Sequence, residues 1–236
     1  MPEIIRVQTC WKLCNDLSGN CTPIPGPPLT IRVSLYDIGV YSVAFAEKWL
    51  LVPGRHYRKY VYSSLPSIYH AGMGISRPYT EQLSKSYSGD VSGILGESLS
   101  ILALERAFWI DPYKVAHLRP IKRNIKCPDF IIHRISQQLK AGFRIASRIA
   151  SGLSLRIGRS TTFRIPRRIP LESKASVTGN LNSAVGRAIS QLHTFWENDR
   201  RNIPLSDRWG LISFASLMHA APHLSLVFVV PLLGMI

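Results

Sequence analysis

The sequence predicts an α/β protein: a mixed central sheet flanked by helices, with a β-rich N-terminal extension. Three observations lead there. From Ser92 onward the hydrophobic periodicities read helix, strand, strand, insert, strand, helix, strand, the succession of an α/β layer. Residues 209–236 contain no Asp, Glu, Lys or Arg, yet His219, Pro222, His223 and Pro231 divide them into pieces of strand length. Residues 1–90 are rich in turn formers and aromatics.

In chain order, residues 22–30 read as a Pro-rich loop. Residues 31–36 and 40–45 are expected strands joined through Asp37, Ile38 and Gly39, and 49–52 are a candidate third. Residues 55–60, Arg-His-Tyr-Arg-Lys-Tyr, interleave cations with aromatics, a mixture that can stack bases and touch phosphates. A helix is expected over 92–109, from the spacing of Ile94, Leu95, Leu99, Leu102, Ala103 and Phe108, and Asp111-Pro112 ends it. Strands are expected at 113–118, 130–135 and 171–177, a second helix at 181–198, and buried strands at 211–218 and 224–230. The chain divides at about residue 90 into an extension, 1–90, that could select substrate, and a core, 91–236.

Twenty-nine Lys and Arg face 14 Asp and Glu, a formal charge of +15, which favours a polyanionic partner, nucleic acid or an anionic membrane surface. The charge concentrates in an insert, about 140–169, that holds Lys140, Arg144, Arg148, Arg156, Arg159, Arg164, Arg167 and Arg168 and no acid. A solvated face normally mixes both signs, so this one reads as a hairpin or helix with a phosphate-binding face. Cys10, Cys14, Cys21 and Cys127 form no Cys-x-x-Cys pair, so free thiols are expected rather than a zinc site. Glu3, Arg6, Lys12 and Asp16 interrupt any apolar run that could serve as an export signal; a cytoplasmic protein without stable membrane association is expected.

Cleaving a phosphodiester calls for carboxylates that hold a divalent cation and a cationic group beside the developing charge. Asp129 follows Pro128 at the mouth of one expected strand. Glu172 and Lys174 lie two apart on another, so they share a face. Pro-Asp occurs once in the chain, and so does an acidic-x-Lys triplet, in that order and in apolar flanks. Pro128-Asp129 followed by Glu172-Ser173-Lys174 resembles the PD-(D/E)XK, or restriction-endonuclease-like, nuclease superfamily. Glu97 on the first helix matches the further acidic residue that members often place there, and Gln191 on the second helix matches a glutamine-bearing helix of several members. The resemblance covers about residues 92–230. The spacing between Asp129 and Glu172 requires the basic insert to leave the sheet.

The resemblance implies a Mg²⁺-dependent DNA endonuclease of a restriction or other defence system, with Mn²⁺ as a substitute. Asp129, Glu172, Lys174, Glu97 and Gln191 would be catalytic, and Asp129, Glu172 and Glu97 would be the metal ligands. Arg156, Arg159, Arg164, Arg167, Arg168 and Arg187 would bind DNA, and a homodimer is expected. The competing readings are a basic nucleic-acid-binding protein with a nuclease-like fold and a basic protein tethered to a membrane by its C-terminal stretch.

Overall fold

The computed structural model describes residues 4–14, 20–26, 30–34, 37–38, 41, 69–70, 74–75, 85–118, 127–154, 165–176, 181–198, 203–204, 207–216 and 223–231. Its strands are β1 (Ile4–Cys14), β2 (Thr22–Pro23), β3 (Thr30–Ser34), β4 (Tyr69–His70), β5 (Gly74–Ile75), β6 (Val115–His117), β7 (Phe130–Ile132), β8 (Ile169–Ser176), β9 (Gly210–Ser216) and β10 (His223–Val229). Its long helices are α1 (Lys85–Phe108), α2 (Gln137–Ser154) and α3 (Leu181–Asn198).

Eight strands form one mixed sheet in the order β2-β1-β10-β9-β8-β7-β6, with β3 beside β1; β4 and β5 pair separately. Strands β8 and β9 run parallel, as do β1 and β10, whereas β6, β7 and β8 alternate in direction, as do β9 and β10. Helices α1 and α2 cover one face, packing Leu99, Leu102, Phe108, Leu139 and Phe143 against Trp11, Leu171, Leu211 and Phe228. Helix α3 covers the other, with Val185, Ile189, Leu192 and Trp196 on Ile212, Val227 and Val229. The α/β expectation is therefore met, in three layers.

The C-terminal stretch has the expected form of two strands, β9 and β10, buried along almost their whole length. Among the described residues no helix is long and apolar enough to cross a membrane.

The basic insert begins as helix α2. Ser136 caps it, its hydroxyl accepting the Leu139 amide at 3.1 Å and its carbonyl the Lys140 amide at 3.0 Å. Leu139, Phe143, Ala146 and Ala150 recur at helical spacing and are buried, while Arg144 and Arg148 are exposed. Phe143 meets the edges of Trp209 and Phe228 with ring centroids 5.5 and 5.0 Å apart.

Two differences from the sequence reading stand out. Asp37, Ile38 and Tyr41 are helical where a turn and the start of a strand, 40–45, were expected. The Ser34 amide and hydroxyl donate to the Asp37 carboxylate at 2.9 and 2.8 Å, and the Ser34 hydroxyl accepts the Asp37 amide at 3.0 Å. This reciprocal cap starts a helix and stops β3 at Ser34. The rest of 40–45, and 49–52 and 55–60, lie outside the described residues. Strand β1 was not anticipated, although residues 5–13 alternate in the period of a strand; it binds β10 in parallel, so the N-terminal strands are continuous with the C-terminal sheet.

Helix α1 lies close on β8. A Cβ on Gly96 would stand 2.8 Å from the Ala175 Cβ, and the Ser100 hydroxyl reaches the Ser173 hydroxyl at 3.1 Å. Gly93, three residues earlier, has open space around it. Both Gly93→Ala and Gly96→Ala gain helix propensity, up to about 1 kcal/mol. Only Gly96→Ala should also incur overpacking, about 1–3 kcal/mol. Urea unfolding should therefore show Gly93→Ala stabilised and Gly96→Ala destabilised; equal midpoints would mean that α1 and β8 are not tightly apposed.

Candidate active site

Strand register brings the two acidic motifs together. Phe130 pairs with Leu171, so Asp129 and Glu172 follow opposite each other where β7 begins. Glu172 Oε2 accepts the Asp129 amide at 3.1 Å, and Asp129 Oδ2 accepts the Ser173 amide at 2.8 Å. Each carboxylate thus braces the other's strand. The Lys174 ammonium donates to Glu172 Oε1. Glu172 has none of its surface exposed, whereas Lys174 keeps 25% of its side chain in solvent. Leu171, Ser173 and Ala175 face α1, so Glu172 and Lys174 point to the α3 face.

The helices add a rim. Glu97 of α1 lies 3.8 Å from His117 Nε2 at the end of β6. Glu105, two turns further along α1, instead accepts the Tyr41 hydroxyl. On α3, Gln191 Nε2 donates to the Cys127 carbonyl at 3.4 Å, steadying the segment that leads into Asp129. Arg187 is exposed one turn before Gln191.

Electrostatics mark the cluster. Burial raises Glu97 to about 7, with Asp129 repelling its charge and Lys174 partly offsetting that. Asp129 and Glu172 are also raised, first by burial; Asp129 adds repulsion at Glu172, and Lys174 lowers both. Carboxyls pushed together in this way are common at catalytic sites.

Magnesium takes oxygen ligands, often one or two carboxylates beside water and substrate phosphate. Asp129 and Glu172 fit that donor set: they are adjacent, Glu172 is buried and Asp129 half-buried, and they are held where an unneutralised negative charge is costly. The three-carboxylate set with Glu97 is not gathered: among the described residues no three His, Cys, Asp or Glu side chains are grouped to hold an ion. Cys10, Cys14, Cys21 and Cys127 are not joined in disulfides.

The basic residues lie elsewhere. Arg167 and Arg168 are exposed just before β8, at the end of the strand away from Lys174. Arg156, Arg159 and Arg164 lie outside the described residues. His117 was not among the candidate residues read from the sequence; its place at the end of β6, beside the Asp129 strand, is what brings it to Glu97. No family model, curated protein or solved structure matches this chain.

A pH dependence follows. A carboxyl raised on folding binds more protons in the folded state, so stability is lost as pH rises through the shifted range. For Glu97 that range runs from its ordinary 4.5 to about 7. Its side chain keeps 35% of its surface exposed, so solvent screens part of the effect. In metal-free buffer, urea midpoints should fall between those limits, and less steeply in Glu97→Gln; identical pH slopes would mean that Glu97 titrates as it does in the unfolded chain.

Proposed function

We propose that the chain is a Mg²⁺-dependent endonuclease that hydrolyses DNA phosphodiester bonds, built on a PD-(D/E)XK-like core. The observation that carries this reading is the closed set of contacts joining Asp129, Glu172 and Lys174 at adjacent strands. The element succession supports it: α1, β6, β7, the α2 insert, β8, α3 and β9 follow the order read from the sequence. A protein that only bound nucleic acid would gain nothing from two adjoining carboxylates, Asp129 and Glu172, beside phosphates.

In this reading Asp129 and Glu172 would hold Mg²⁺, which when bound supplies a Lewis acid for a phosphate oxygen and an acidified water. Lys174, tied to Glu172 yet partly in solvent, stabilises charge that builds at phosphorus. Glu97, raised to about 7, can take or give a proton near neutrality. Gln191 positions Asp129 through the Cys127 carbonyl.

Asp129→Asn and Lys174→Ala should each lower plasmid cleavage in Mg²⁺ by a factor of about a hundred to a thousand, the usual loss when one electrostatic stabiliser is removed. Gel-shift affinity in calcium should change little, because Lys174 is one of 29 cations. Wild-type cutting that persists in chelator, or variants that cut at the wild-type rate, would remove the catalytic assignment.

A further inference from the structure

A concavity lies on the same sheet face as Glu172, toward the start of β8. Its volume is about 1070 Å³, just above the usual range for small-molecule pockets. Arg134, Lys140, Arg167 and Arg168 line it against one acid, Asp207. Arg134, Arg167 and Arg168 are exposed. The wall between them is apolar: Ile131 and Pro170 from the sheet and the half-buried ring of Phe195 from α3. A surface that only attracted a duplex backbone would need cations but neither an aromatic wall nor a hollow. Cations around an aromatic-walled hollow suit a phosphate together with a base whose face is free to stack. Duplex bases stack on their neighbours, so only an unpaired nucleotide can offer that face.

The pocket is also in line with the carboxylates. Pro170 is two residues before Glu172 and on the same face of β8, which places them about 7 Å apart. That is about two steps along a nucleic-acid strand at ~3.4 Å per step. On α3, Phe195 follows Gln191 by one turn, so the helix spans the same path.

We propose that this pocket holds an unpaired nucleotide of the substrate strand a few steps from the bond that is cut, so that the preferred substrate is DNA with a single-stranded segment. The assignment rests on the nuclease reading for the word substrate, and on the pocket alone for the nucleotide.

The test uses the full chain in chelator, with fluorescence anisotropy of a labelled thymidine oligonucleotide and of a blunt duplex of equal length. The single strand should bind more tightly than the duplex. Phe195→Leu, which keeps apolar bulk against α3's neighbours, should weaken single-strand binding by about tenfold and leave duplex binding unchanged. Arg134→Ala, on an exposed side chain, should weaken single-strand binding and reduce its salt dependence. Equal affinity for both DNAs, or no effect of either variant on single-strand binding, would overturn the pocket assignment. Cleavage in Mg²⁺ separates the two readings. Binding that depends on Phe195 without any cutting supports the pocket and sinks the nuclease. Cutting of continuous duplex that is indifferent to Phe195→Leu sinks the pocket and leaves the nuclease standing.

Discussion

Burial of the Glu172 carboxyl at the centre of the sheet is the constraint on which the rest of the site depends. Strand β8 is covered by α1 on one face and α3 on the other, and a lone carboxylate in such a layer is costly. The cost is met locally: Lys174 takes one oxygen and the Asp129 amide the other. Asp129 is then fixed by the Ser173 amide, so the acid that needs support also sets the pairing between β7 and β8. Removing one member would leave its partners buried and unsatisfied, which is worse than removing all.

The approach of α1 depends on small residues. Gly96 and Ser100 lie over a sheet surface that carries Ser173, Ala175 and Ser213. The Ser213 hydroxyl has no hydrogen-bond partner among the described residues. Larger side chains there would lift the helix and carry Glu97 away from the Asp129–Lys174 group. Glu97 senses both of those charges, so its acidity reports how closely the helix is seated.

Much of this was legible in the chain because long periodic segments state their own structure. Residues 181–198 were read as a helix and are α3, and the charge-free C-terminal stretch was read as strands because His219, Pro222, His223 and Pro231 divide it into pieces of strand length. Asp129, Glu172 and Lys174 were found by order and flanking apolar residues, which the register of β7 and β8 then joins. What escaped was long-range or local in ways that periodicity does not encode. The Ser34–Asp37 cap is a four-residue exchange of hydrogen bonds that outweighs the β-like composition after it. Strand β1 has the right alternation, but it joins strands β6 to β10 through β10, more than two hundred residues further along. His117 becomes a neighbour of Glu97 only once β6 is placed against β7.

That pairing of β1 with β10 also sets an order of events in folding. Gln8 to Cys14 bind His223 to Val229, so the contact spans nearly the whole chain. Such contacts require the loop between them to be closed first and slow the search. During synthesis β1 emerges well before its parallel partner, whose first paired residue, His223, follows Gln8 by more than two hundred residues. Until then the edge of β1 that β10 will occupy is open to other strands, and the sheet cannot close before residue 229 has left the ribosome. Expression at high concentration therefore exposes the nascent chain to aggregation through β1, and slower synthesis or a holdase for that segment should improve the yield of folded protein.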